Sequence, residues 1–263
     1  MPELQLPRGF SRNLPTVENA IAIFDNWTSA LPLPAHTGGS LFSPEDDPRP
    51  SYVRDVFGSL EHFEILELGP LEGGHTYQLE RLGAKSITAI ESNTESFIKC
   101  LVIKNAFELK AKLLLGDFIK YLEVIEFKYD LIFASGVLYH MIDPLHLLYL
   151  IAKRTDRVFI WTHYVASEND HVFSENLGTP PSSMTGDEPY IDVNLYGFKC
   201  RYYKAYYDPN HDSRRYSGLE AYGCHLLKDD IIGALKHFGL RNIQILKDDV
   251  RESWPEMSLV AYR

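Results

Sequence analysis

From about residue 63 the chain alternates short apolar runs with amphipathic stretches, and the alternation has a regular beat. Phe63-Glu64-Ile65-Leu66-Glu67-Leu68 is an apolar run closed by Gly69, the pattern of a buried strand. A helix from about His75 to Leu82 follows, with Gly83 at the position where helices commonly stop. Ser86 to Ile90 is a second strand rich in β-branched residues, and Ser92-x-x-Glu95 has the spacing of a capping box before the apolar face Phe97, Ile98, Leu101 and Val102. Lys112 to Leu115, Tyr129 to Ala134 and Arg157 to Trp161 are three further strands, with a helix from Pro144 to about Lys153 between the last two. The rhythm stops for about 60 residues, then resumes with a helix from Asp229 to His237 and strands near Asn242 to Leu246 and Met257 to Tyr262. Strand–helix alternation at this spacing predicts βαβ units and an α/β fold with a mostly parallel sheet and helices on both faces. The last two of the seven strands have no helix between them, so they are expected to pair antiparallel.

Residues 1–52 have a different texture. One helical island runs from about Val17 to Leu31, with Thr16 as N-cap and Ile21, Ile23, Phe24 and Trp27 as its apolar face, and the proline-rich run from Pro32 to Pro50 reads as loop. The expected organisation is an N-terminal extension over 1–52 and an α/β domain over 53–263, with 165–226 as an insertion after strand five. A length of 263 residues is enough to bury a core without disulfide or metal staples. Twenty-six basic against 36 acidic residues give a net charge of −10, which works against broad electrostatic binding to nucleic acid or anionic membrane. Cys100, Cys200 and Cys224 form neither a disulfide framework nor a thiolate zinc site, and Met1 to Arg8 lack the pattern of a signal peptide. A cytoplasmic location is the expectation. Leu131 to Ala152 contains no Lys, Arg or Glu, but His140, Asp143, Pro144 and His146 interrupt it, so it reads as strand, turn and helix rather than a membrane span.

The chemistry begins at Glu67-Leu68-Gly69-Pro70-Leu71-Glu72-Gly73-Gly74. Glycines after a first strand admit a ligand to the backbone and to the unpaired N–H groups opening the next helix. Glu91, 22 residues beyond Gly69 at the tip of the second strand, is placed to accept bonds from ribose hydroxyls. The dinucleotide pattern G-x-G-x-x-G is absent, because Leu71 stands two residues after Gly69. The pattern is acid-x-Gly-x-x-x-Gly, and here the sequence resembles the class I S-adenosylmethionine-dependent methyltransferases. The resemblance covers roughly Phe63 to Tyr164 and returns in the terminal strands. It implies a Rossmann-like seven-stranded sheet with an antiparallel last strand and S-adenosyl-L-methionine as cofactor. It further implies Glu67, Gly69 and Gly73 at the amino-acid end of the cofactor, Glu91 on the ribose, and Asp117 with Phe118 at the adenine. Pro70 and Glu72 depart from the commoner glycine-richer loop.

Strand four continues into Ser135-Gly136-Val137-Leu138-Tyr139-His140, expected to line the crevice, with Ser135 on the cofactor side. His140 has a side chain suited to proton abstraction near neutral pH, Tyr139 stands beside it, and His163 after strand five is a second candidate base. Gly136 to His140 with Asp143-Pro144-Leu145 is similar to a family that carboxymethylates wobble uridine in tRNA with a carboxylated cofactor; its RNA-binding length and charge are missing here. Asp143, Glu168, Asn169 and Asp170 match no magnesium motif, so no metal is expected. Residues 165–226 carry eight of the sixteen tyrosines, including Tyr202, Tyr203, Tyr206 and Tyr207, with Lys199, Arg201, Lys204, Arg214 and Arg215 among them. Such a segment suits an aromatic or anionic small-molecule acceptor, or equally a subunit interface. The reading is a methyltransferase acting on a small-molecule acceptor. The alternatives are a tRNA-modifying enzyme, a nicotinamide-dependent reductase, and a non-catalytic protein that kept the fold for binding.

Overall fold

The computed structural model describes residues 9–30, 47–167, 188–207, 218–250 and 255–263. Glu168, Asn169, Asp170, Arg214 and Arg215 lie outside them. The chain divides into two compact units, Met1–Asp117 and Phe118–Arg263.

The first unit holds helix α1 (Val17–Ile21), α2 (Arg49–Phe57), strand β1 (Glu64–Leu68), α3 (Gly74–Arg81), β2 (Ser86–Glu91), α4 (Thr94–Ala106) and β3 (Lys112–Leu115). β1 pairs parallel with β2, and β2 with β3. The second unit holds α5 (Phe118–Val124), β4 (Leu131–Ser135), a 3-10 turn (Leu138–His140), α6 (Pro144–Arg154), β5 (Arg157–His163), β6 (Tyr190–Leu195), β7 (Phe198–Tyr206), β8 (Tyr222–His225), α7 (Lys228–His237), β9 (Asn242–Asp249) and β10 (Glu256–Tyr262). β4 and β5 pair parallel, while β10 runs antiparallel to both β5 and β9. One seven-stranded sheet results, in the order β3-β2-β1-β4-β5-β10-β9, and β6-β7-β8 form a separate three-stranded antiparallel sheet.

β4 is buried at every residue and β1 at four of its five, as expected of parallel strands covered on both faces. The apolar stretch from Leu131 resolves into β4, the 3-10 turn and α6, which buries Leu145, Leu147, Leu148, Leu150 and Ile151. Phe133 on β4 stacks on Phe159 of β5, with ring centroids 4.7 Å apart. Among the described residues no helix is long and apolar enough to cross a membrane.

Several local features differ from the sequence reading. α1 ends at Ile21 rather than near Leu31. Phe24 and Trp27 are nonetheless buried, in a cluster with Ile21, Ile103 and Leu109, so burial rather than helix holds this segment in place. Each such side chain contributes about 1.5–3 kcal/mol. The end of the proline-rich run opens α2, because Pro50 falls in the first turn, where a missing N–H costs nothing. The cap of α4 is Asn93, whose side chain accepts from the Ser96 N–H at 3.0 Å, and not Ser92. Glu95 turns instead to Asn26 Nδ2 at 2.7 Å and Lys99 Nζ at 3.2 Å.

Candidate functional site

In the Met1–Asp117 unit the backbone between β1 and α3 turns sharply on residues in the left-handed region. Gly69 has φ 64°, Leu71 φ 56° and Gly73 φ 82°, and Gly73 is the N-cap residue of α3. Glycine removes the steric cost at two of these positions; Leu71 bears it. Glu91 at the end of β2 supports that strained residue, its Oε2 accepting from the Leu71 N–H at 3.0 Å and its Oε1 from the Asn93 N–H at 2.8 Å. Each carboxylate oxygen has two acceptor sites, so Glu91 braces the loop and keeps capacity for a ligand. Burial raises its pKa.

Glu67, on β1, is 1% exposed. Its Oε2 accepts from Thr76 Oγ1 at 2.5 Å, while its buried Oε1 has no hydrogen-bond partner. Burial pushes this carboxyl up to about 7, Glu91 adding to the rise and the Thr76 bond opposing it. A buried acceptor left without a donor is costly, and it is the feature that a cationic, hydrogen-donating ligand group would satisfy.

Glu72 has a different role from its loop neighbours. Its carboxylate accepts from the backbone N–H groups of Thr28 at 2.9 Å and Ser29 at 2.7 Å, and from Lys99 Nζ at 2.9 Å. Lys99 also donates to the Asn26 carbonyl at 2.8 Å and lies 5.4 Å from the Trp27 ring centre. The departure from a glycine-richer loop is thus an internal fastening of residues 26–29. Asp47 fastens the start of α2 and α3 in a comparable way, pairing with Arg49 and with His75 Nε2 at 3.2 Å. Asp117 follows Gly116 beyond β3 and is half-buried.

In the Phe118–Arg263 unit Phe118 is buried at the first residue of α5, and Ser135 is buried at the last residue of β4. Gly136 (φ 78°) packs under Trp161 and leads into the turn that carries Tyr139 and His140. The Tyr139 ring lies 4.1 Å from that of His140, 4.8 Å from that of His163 and 6.0 Å from that of Trp161. The three residues singled out for catalysis therefore form one cluster. Two further members join it: His225, which escaped the sequence reading, and Tyr207, singled out there only as part of the tyrosine-rich segment. His225 on β8 has its ring 5.7 Å from that of Tyr139, and the Tyr207 hydroxyl lies 2.7 Å from His140 Nδ1. Both sit in the segment whose strands the sequence did not declare; the nearest signal was its concentration of tyrosine. Burial, with His163 nearby, brings His140 down to about 3, and burial with both other histidines holds His225 well below its usual value. These two imidazoles are uncharged at neutral pH.

Asp143 is the N-cap of α6, accepting from the His146 N–H at 2.9 Å and from the Tyr202 hydroxyl at 2.6 Å. Among the described residues no group of three or more His, Cys, Asp or Glu is arranged to hold a metal ion.

Neither a protein-family model nor a curated protein sequence matches the chain. Solved structures do. The N-terminal domain of EvdMO1, crystallised in the presence of SAH and D-fucose, is similar over 94% of this chain and 94% of that one, at 20% identity and a TM-score of 0.69. The same domain with SAH bound matches over 82% of this chain and 81% of that one, at 20% identity and a TM-score of 0.62. An S-adenosylmethionine-dependent methyltransferase from Clostridium acetobutylicum ATCC 824 matches over 81% of this chain and 90% of that one, at 14% identity and a TM-score of 0.52. The fold is thus the Rossmann-like methyltransferase fold, with its antiparallel final strand.

Proposed function

We propose that the protein is an S-adenosylmethionine-dependent methyltransferase acting on a hydroxyl of an uncharged small molecule. The observation that carries the cofactor reading is Glu67: a buried carboxyl with one oxygen lacking a donor, ahead of a loop whose glycines adopt positive φ. It fits the ammonium end of an amino-acid-bearing nucleoside. Gly69 and Gly73 admit that end to the backbone, Glu91 accepts from the ribose, and Asp117 takes the adenine amine. When bound, the cofactor supplies an electrophilic methyl group on a sulfonium.

The acceptor falls to Tyr139, His140 and His163. An acceptor oxygen forms the new bond to the methyl carbon as the sulfur–carbon bond breaks, and the acceptor's proton passes to an imidazole. His140 and His225 are neutral, so the described aromatic cluster offers uncharged donors and acceptors rather than cations. That favours a neutral hydroxylated acceptor over the anionic one expected from the basic residues of 165–226. The D-fucose present with the EvdMO1 domain is a compound of this class. The three free cysteines suit a reducing, cytoplasmic setting.

Calorimetric titration with S-adenosylmethionine and SAH, with NADH and bulk tRNA as controls, tests the reading. Micromolar binding of the two sulfur compounds is expected. Binding of NADH instead would point to a reductase, and strongly salt-dependent tRNA binding to the RNA-modifying alternative. Binding of none of them would leave a non-catalytic protein.

A further inference from the structure

β8 lies on the Tyr139–His140 turn by direct backbone approach. The Cys224 N–H donates to the Met141 carbonyl at 2.8 Å. A Cβ on Gly223 would stand 2.2 Å from the Tyr139 carbonyl oxygen and 2.7 Å from the Tyr207 hydroxyl, and a Cβ on Gly218 2.4 Å from the His140 carbonyl oxygen. No side chain fits at either position, so these glycines let the segment seat against the turn. That seating sets the Tyr207 hydroxyl against His140 Nδ1 at 2.7 Å.

We propose that Tyr207 is a positioning residue that fixes His140 in the tautomer with its proton on Nε2, making His140 a hydrogen-bond donor and leaving His163 as the base. In a bond between a phenol and a neutral imidazole, the hydroxyl is the more acidic donor and the ring nitrogen the better acceptor. The Tyr207 O–H therefore donates, Nδ1 accepts, and the ring's one proton resides on Nε2. A neutral His140 held this way has its one ring-nitrogen lone pair, on Nδ1, occupied by the Tyr207 hydroxyl, and presents to an acceptor only the Nε2 proton. The depressed pKa agrees, since it keeps a second proton off the ring. His163, half-buried at the end of β5 and edge-on to Tyr139, is the remaining imidazole of the original pair of candidates. The assignment of donor and base rests on the methyltransferase reading, whereas the tautomer is a property of the protein alone.

The experiment is long-range proton–nitrogen NMR of the full chain labelled with 15N-histidine and carrying no cofactor. His140 is identified by the signals lost in His140→Gln. In the wild type a single form protonated on Nε2 is expected, with no titration between pH 5 and 8. In Tyr207→Phe both nitrogen signals of His140 should move toward the average of two exchanging tautomers while the far-UV spectrum stays unchanged. A wild-type His140 protonated on Nδ1 overturns the proposal, and so does a Tyr207→Phe spectrum identical to the wild type. If Tyr207→Phe does not fold, the wild-type spectrum still decides. Failure of the calorimetric titration would sink the methyltransferase reading without altering this result.

Discussion

The Met1–Asp117 unit buries carboxylates paired with cations or strained toward neutrality, with the uncharged imidazole of His75 set against Asp47, whereas the Phe118–Arg263 cluster gathers uncharged imidazoles among aromatic rings. Glu72 and Lys99 form an ion pair whose side chains are 1% and 3% exposed, and Glu67 and Glu91 have raised pKa values. His140 and His225 are instead pushed down, with Tyr139 packed against both rings and Tyr207 against that of His140. The contrast separates two kinds of recognition. A buried carboxyl oxygen without a donor, as at Glu67, calls for a cation, and a neutral imidazole beside aromatic faces calls for polar, uncharged groups.

The severest break of this contrast is Lys99→Met. It leaves Glu72 buried without its cation, and a loss of about 3–5 kcal/mol in urea unfolding is expected. Lys99→Met combined with Glu72→Gln should recover part of that loss. Next comes pH, where Glu67 and His140 have opposite signs. Glu67 has its pKa raised from 4.5 to about 7, so its contribution is full below about 4.5 and is lost as pH rises through 7. Its neutral form is the one the fold favours, and Glu67→Gln should remove up to roughly 3 kcal/mol of that alkaline decline. His140 has its pKa lowered from 6.5 to about 3, so the unfolded chain takes up the proton first and stability falls as pH drops below 6.5. His140→Gln should flatten that acid limb, read by thermal melts across pH 4–8, and an unchanged slope would contradict the burial of an uncharged ring.

A smaller effect sharpens the ligand side. Glu91→Ala removes a charge-assisted acceptor of about 1.5–3 kcal/mol, so the S-adenosylmethionine affinity should fall by at least about tenfold in calorimetry. The smallest effect concerns a cap: Asn93→Ala should cost about 1 kcal/mol in unfolding, while Ser92→Ala should leave stability within error.

What could be read in the sequence was what depends on neighbours along the chain. β1, β2, β4 and β5 announce themselves because continuous apolar runs are the mark of strands covered on both faces, while β3 shows through its run Leu113–Leu115 although none of its residues is buried. The antiparallel pairing of β9 and β10 followed from the lack of a helix between them. β6, by contrast, is exposed or half-exposed throughout, so Tyr190–Leu195 has no apolar alternation to declare it. α5 was missed because only Phe118 and Leu122 are buried in its seven residues. Within the site, Gly69, Gly73 and Glu91 stood out by spacing, but Glu72 did not, since its partners lie 27 and 44 residues away. His225 has the same difficulty: only the approach of β8 to the 139–141 turn brings it to Tyr139, and nothing local in Gly223-Cys224-His225 records that approach.

The place of β10 in the large sheet has a consequence for how the protein is made. Residues 256–262 fill an interior slot between β5 and β9, so an emerging chain cannot complete its sheet until these residues have left the ribosome. Until then β5, apolar along most of its length, presents an open edge of unpaired backbone groups, the kind of template on which another nascent chain can add. A chain cut short before Glu256 would be exposed to the same hazard permanently, and aggregation rather than simple loss of activity is its expected fate.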